Sequence, residues 1–262
     1  MKNNIQTALN DYIDVYKKFS IAYVLGIKDI KQKYRRSFLG AFWITITTLF
    51  MIALIGYVYS TVLTVDFNSY LIYLTVSIIL WTFISGFITD SCNSFIDSAD
   101  IISQIKLPYT SYVMKNLVKH VVILLHNFIL IFICLFFIDG SLLHLFFFLF
   151  SFFLVCISLF NIGIILAFLS LRFRDFPIIV NNLIFALFLC TPIFWKIEMM
   201  PNRISLVSLN PVYNIIEMIR APLLGAFPPL AVIIYFFIFL ILLSASSFLI
   251  FVKFRKKIPY WI

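Results

Sequence analysis

The sequence predicts an all-α integral membrane protein. It has six transmembrane helices, an N-terminal amphipathic interface helix, and short outer re-entrant gate helices between spans five and six. Three observations carry that class. The 262 residues are 63% hydrophobic and only 12% charged, with a mean hydropathy of +1.07, whereas a soluble domain carries about twice that charge fraction. Six apolar runs are long enough to cross roughly 30 Å of hydrocarbon as helices. The basic residues are concentrated in alternate loops, as a membrane-oriented chain requires. The net charge of +9 reads as basic loops beside an anionic membrane face, not as nucleic-acid binding.

The N-terminal segment, 1–37, is polar and basic, without the apolar run of a cleavable signal peptide. Residues 12–36 show a helical period. Tyr12, Tyr16, Phe19, Tyr23, Ile27, Ile30 and Tyr34 form one stripe, and Lys17, Lys18, Lys28, Lys31, Gln32, Arg35 and Arg36 fall on other faces. Such a helix lies in the membrane interface. It fits a plain anchor, and it fits a docking and substrate-admission element. Arg35 and Arg36 reach headgroup depth, where a phosphorylated lipid presents its charge. The stretch KDIKQKYRRSFLGAFW, Lys28 to Trp43, fuses these cations directly to a run with no charged side chain from Ser37 to Val65.

The transmembrane domain, 38–262, holds spans near 38–63, 70–89, 117–138, 142–170, 178–195 and 230–252. Asp139-Gly140-Ser141 makes a tight turn between the third and fourth. The fifth ends in Cys190-Thr191-Pro192, so it is short or kinked. Six spans put both termini on one side. With the termini in the cytoplasm, 17 of the 20 Lys and Arg lie inside and only Lys196, Arg203 and Arg220 lie outside. The chain is therefore expected to be multi-pass with both termini cytoplasmic.

Three spans carry semi-polar stripes: Thr45, Thr48, Gly56 and Tyr59 in the first; Tyr70, Tyr73, Ser77, Trp81 and Ser85 in the second; Asn181, Phe185, Phe188, Pro192 and Trp195 in the fifth. Small and hydroxyl residues also mediate ordinary helix packing. Together the stripes suggest a conduit of rings and hydroxyls past which a glycan could slide. The third and fourth spans, rich in Phe, Leu and Ile, read as lipid-facing. No Asp, Glu, Lys or Arg lies deep in a span, which argues against an ion-coupled carrier. No G-x-x-x-x-G-K-[ST] loop is present. His120, His126 and His144 have no spacing of a metal site or catalytic dyad, and the four cysteines read as core residues.

The inner loop 90–116 contains a short helix starting at Ser98-Ala99-Asp100 and ending before Pro108, which is a connector or a handle for a soluble partner. The inner loop 171–177 reads LRFRDFP. The outer segment 195–229 is too polar to span and too apolar to float. It predicts helices near 202–209 and 211–220, the second with Asn210 as cap and Pro211 in its first turn. Re-entrant backbone needs protein or a water-filled cavity around it, which favours a gate.

KDIKQKYRRSFLGAFW, IKLP in the first inner loop, RFRDF after the fourth span, CTPIFW at the end of the fifth and NPVYNIIEMIRAPLLG outside carry a resemblance. In this order and spacing, over nearly the whole chain, the sequence resembles the membrane subunit of ABC type-2 exporters of bacterial cell-envelope polysaccharides: O-antigen, teichoic acid and capsule. The resemblance implies a transporter subunit, not an enzyme, with no cofactor or metal on this chain and with ATP and Mg on a partner. It implies a homodimer with two copies of a separate nucleotide-binding subunit, and a polysaccharide linked to a polyprenyl diphosphate or comparable lipid. From their place at headgroup depth, Arg35 and Arg36 are expected to meet the substrate headgroup. The translocation path falls on Thr45, Thr48, Tyr59, Tyr70, Tyr73, Trp81, Phe185, Phe188 and Trp195. ATPase coupling falls on Asp100, Gln104, Lys106, Pro108, Arg172, Arg174 and Asp175, and the outer gate on Asn210, Pro211, Tyr213 and Arg220. The rival readings are a type-2 permease for another lipid or small molecule, a membrane-embedded prenyl-lipid transferase using Asp90, Asp97 and Asp100, and a passive scaffold.

Overall fold

A computed structural model describes residues 2–136, 138, 141–199 and 207–262; all the described regular structure is helical. The order is α1 (Lys2–Lys17), α2 (Phe19–Lys33), α3 (Phe42–Leu63), α4 (Phe67–Cys92), α5 (Ala99–Gln104), α6 (Thr110–Leu135), α7 (Leu142–Arg172), α8 (Phe176–Cys190), a 3₁₀ turn (Ile197–Met199), α9 (Pro211–Leu223), α10 (Leu230–Phe254), a second 3₁₀ turn (Arg255–Lys257) and α11 (Ile258–Trp261). Among the described residues, five helices are long and apolar enough to cross a membrane: α3, α4, α6, α7, and α10 with its C-terminal extension. The fifth predicted span is short, as its Cys190-Thr191-Pro192 end leads one to expect. Its helix α8 has 15 residues, about 22 Å at 1.5 Å per residue, and gives way to bent chain at Thr191-Pro192.

Side-chain contacts fix the level that each helix end reaches. Asp11 of α1 pairs with Arg255 at the end of α10, and Thr110 at the start of α6 donates to the Asp11 carbonyl at 2.8 Å. Arg172 at the end of α7 lies 5.7 Å from the Trp261 ring. Both termini, the 93–109 loop and the α7–α8 loop thus share one end of the bundle. At the other end, Tyr70 and Tyr73 near the start of α4 bond to carbonyls of 192–195. The chain after α8 therefore arrives opposite the end from which α8 set out.

The predicted single N-terminal helix is two helices, separated at Lys18, whose backbone (φ −103°, ψ 21°) leaves the helical region. The face that meets the bundle shares Tyr12 and Ile30 with the aromatic stripe, but not Tyr16, Phe19 or Tyr23. Ala8, Asp11 and Val15, then Ala22, Gly26 and Ile30, are buried, whereas Tyr16, Phe19 and Tyr23 are exposed. Small residues win that face because lipid gives apolar side chains no drive to associate, so helices gain by close backbone approach. At Gly26 the approach is extreme: a Cβ there would lie 2.8 Å from the Lys115 carbonyl oxygen of α6.

The expectation that spans three and four face lipid holds for only half of each. Leu125, Ile129, Phe132 and Ile133 of α6 and Leu142 to Phe146 of α7 are largely exposed, but residues 110–118 and most of 158–171 are buried. There α7 packs against α4, α9 and α10 and forms the centre of the molecule. The mean composition of a span, read without its neighbours, hid that division. Among the described residues, side chains of Asp66, Ser141 and Asn210 cap helix starts. Asp66 accepts from the Ser69 N–H at 2.9 Å, which holds its carboxyl below the usual range. Ser141 and His144 form a reciprocal cap on α7. Asp139 and Gly140 of the predicted turn lie outside the described residues, as do residues 202–206 of the first predicted outer helix.

Candidate functional site

The second and fifth stripes meet. Tyr70 donates to the Phe194 carbonyl at 2.6 Å, and the Tyr73 hydroxyl is placed for the carbonyls of Pro192 (2.8 Å) and Trp195 (3.1 Å). Further along, the Trp81 ring tilts against Phe188 at 5.5 Å, and Thr89 donates to Asn181 Oδ1 at 3.3 Å. This α4–α8 seam runs nearly the length of the bundle. From the first stripe, Tyr59 joins it, 5.1 Å from Phe194. Thr45 donates instead to the His126 carbonyl of α6, and Thr48 to Ile44 of its own helix. Phe185 points outward, 68% exposed. Trp195 Nε1 turns back to the Leu189 carbonyl at 3.3 Å.

The upper end of the seam is held by α9. Asn210 caps this helix, accepting from the N–H groups of Val212 and Tyr213, and its amide donates to Thr191 Oγ1 at 3.0 Å. Pro211 occupies the first helical position. Nearly every residue from Val212 to Leu223 is buried, so α9 dips into the protein instead of resting on it. Arg220, expected as an outer loop cation, is carried inside and is 3% exposed. Its guanidinium pairs with Glu217, donates to the Pro192 carbonyl (2.5 Å), Tyr73 hydroxyl (2.7 Å) and Ser77 Oγ (3.1 Å), and lies 4.7 Å from the Tyr73 ring centroid. Ser77 stands ten residues into α4, about 15 Å from its start. A charged pair therefore does sit alongside the middle of α4, delivered by the buried neighbouring helix α9, and its donors are matched by acceptors from α4 and the 191–195 turn.

The opposite end holds a second polar network. Asp90 accepts from Lys119 and shares a 2.7 Å hydrogen bond with His120; Asn116 donates to the Asp90 carbonyl and to Ser94 Oγ. Lys115 bonds Asp29 of α2 at 3.0 Å. These groups and Asp97 line a polar cavity of about 290 Å³ between α2, α4 and α6. Burial raises the Asp97 carboxyl above its ordinary value, with Lys115 opposing. Of the acids at 90, 97 and 100, Asp90 is thus spent on Lys119 and His120, Asp97 stands at the cavity wall, and Asp100 lies apart on exposed α5. Sequence reading missed Asp29, Lys115, Lys119 and His120. The signal available was Lys115 and Lys119 at i and i+4 on the inner half of a span, which demand acidic partners. His126, by contrast, only returns a hydrogen bond to Val122 of its own helix.

Of the predicted coupling residues, Asp100, Gln104, Lys106, Arg172, Arg174 and Asp175 are exposed and Pro108 is buried. Ser98 does precede α5, but its side chain makes no cap bond. Arg35 and Arg36 are exposed at the end of α2, with Arg36 in the left-handed region (φ 66°) that turns the chain into α3. Arg35 borders a groove of about 500 Å³ along α2, with Tyr23, Val24, Ile27, Lys28 and Lys31.

A family model described as "ABC-2 type transporter" matches residues 22–224. Two curated relatives, both O-antigen export system permease proteins RfbA from Klebsiella pneumoniae, are 26% and 27% identical over 205 and 203 residues; each alignment covers 76% of this chain and 78% of the relative.

Proposed function

Given that the chain belongs to the ABC-2 type transporter family, we propose that it is the membrane subunit of an exporter moving a lipid-linked, O-antigen-like polysaccharide across the bacterial inner membrane. It is a multi-pass permease subunit without an ATPase domain, and the family implies an ATPase partner. The observation that carries the cargo is the similarity, over three quarters of the chain, to two O-antigen export permeases.

In this reading α8 completes a sixth crossing despite its length, because the bent residues 191–195 finish the distance. The termini are cytoplasmic, in keeping with the basic residues there. Two copies of the chain join two ATPase subunits, which bind ATP and Mg. The exposed α5 and the loop 172–175 receive their motion. Arg35 and Arg36 meet the lipid diphosphate, a site suited to guanidinium forks. The rings and hydroxyls of the α4–α8 seam, with Tyr59, line the path, so the seam must part for the glycan. The clamp of Arg220 and the Asn210-capped α9 form its outer gate.

The test is deletion of the gene in its native host. The expected outcome is loss of surface polysaccharide, with lipid-linked polymer accumulating in the cytoplasm. Normal surface glycan together with lost transport of another lipid or small molecule would give the protein a different cargo. Activity without any ATPase would favour a prenyl-lipid transferase.

A further inference from the structure

We infer that the C-terminal turn of this chain, Ile258–Ile262, completes the ATPase docking surface by forming a cleft that takes an apolar side chain flanked by carboxylates. The inference rests on the exporter reading above and extends it to residues beyond 224, where the family match ends.

After α10 the chain does not run off the bundle. Arg255–Lys257 forms one 3₁₀ turn that carries α10 on into α11, and α11 packs against α7. Ile258 is fully buried. The Trp261 ring stacks obliquely on Phe254 at 5.7 Å and carries Arg172 and Lys257 at 5.7 and 5.6 Å from its centroid. Between Trp261 and the rest of this end lies a cleft of about 250 Å³. Its walls are Ile96 and Ala99 from the 93–109 loop, Leu171 and Arg174 from the α7–α8 loop, and Trp261 and Ile262. The two loops assigned to ATPase coupling thus converge on one depression, and the C-terminal residues close its third side. A side chain seated there touches both loops at once, so one rigid displacement of the partner moves both.

The rim identifies the occupant's chemistry. Arg172, Arg174, Lys256 and Lys257 are exposed around the cleft, against Asp175 and Asp100. Arg174 forms no ion pair among the described residues. An exposed apolar group adjoins it in the chain: Phe173, 58% exposed. A cationic rim around an apolar depression is complementary to an acidic protein surface with an apolar knob. A tryptophan serving only as a lipid anchor stands at the flank of a span; Trp261 is turned inward against loop residues.

Two photocrosslinking positions in the full-length chain, in native membranes, test this: a benzoylphenylalanine at Gln104 on α5 and another at Tyr260 beside the cleft. Both should capture a protein carrying a G-x-x-x-x-G-K-[ST] loop, identified by mass spectrometry. If Gln104 captures it and Tyr260 yields only lipid adducts, the C-terminal turn is a membrane anchor and the inference falls while the exporter reading stands. If neither position captures it, the exporter reading itself falls. As a second measure, Trp261→Ala should weaken ATPase binding to detergent-purified permease about tenfold, with Trp261→Phe retaining most of it. Unchanged affinity in Trp261→Ala overturns the role of the ring.

Discussion

The two polar networks, one at each end of the bundle, solve the same problem in different ways. Around Arg220 the charges are neighbours on one helix, and everything else that contacts the guanidinium is neutral: a tyrosine, a serine and a backbone carbonyl. Around Asp90 and Lys115 every ion pair joins different helices, and the network borders a cavity of about 290 Å³. The first arrangement carries its own counter-ion, so α9 could withdraw from α4 without stranding a charge. The second cannot be pulled apart without separating opposite charges. The contrast fits the outer gate proposed at the Arg220 end, and it makes the Asp90 end the firmer joint between α2, α4 and α6.

The largest effect should come from removing half of the self-contained pair. Arg220→Met leaves Glu217 uncompensated, at about 3–5 kcal/mol. Arg220→Met with Glu217→Gln should recover most of that loss in thermal unfolding in detergent. Equal losses in the single and double variants would mean the pair is not a unit.

Gly26→Ala comes next. Its Cβ would press on the Lys115 carbonyl, so α2 and α6 must separate, at about 1–3 kcal/mol. Limited proteolysis between α1 and α3 should then accelerate; unchanged cleavage would show that the joint is not held by close packing.

Asp90→Asn keeps the shape but removes the charge facing Lys119 and His120. The group is one-third exposed, so about 1–2 kcal/mol is expected. An effect as large as that of Arg220→Met would erase the proposed difference between the ends.

The smallest effect carries the opposite sign. The folded state raises the Asp97 carboxyl through burial, so its ionised form opposes folding. That penalty is present above the folded pKa and absent below the unfolded value of about 3.9. Asp97→Asn should therefore raise the melting temperature slightly at pH 7.5 and have no effect near pH 3. A decrease at pH 7.5 would mean that its attraction to Lys115 dominates.

What the sequence allowed and what it hid follow one physical divide. Long apolar runs, the Asn210-Pro211 helix start and the exposed α5 were legible because each depends on a few adjacent residues. The α4 and fifth-span stripes were legible as faces, and they do meet. The depth of Arg220 was not, because it depends on α9 folding inward among α4, α7 and α10. The inward face of α1 and α2 was only partly legible for a related reason: the aromatic period, which includes Ile30, dominates the pattern, while Ala22 and Gly26 bring α2 close to α6. The partners of Lys115 and Lys119 lie up to 86 residues away by number, and no local pattern announces them.

The bond between Asp11 and Arg255 has a consequence for biogenesis. The partners are 244 residues apart. At roughly 5–20 residues per second, the ribosome finishes the second residue some tens of seconds after the first. The earliest helix to be made is thus among the last to find its seat, and during that delay its acidic residue faces solvent and lipid unaccompanied. Stalled or shortened nascent chains should leave α1 undocked, giving cellular quality control a direct sign that the tail has not arrived.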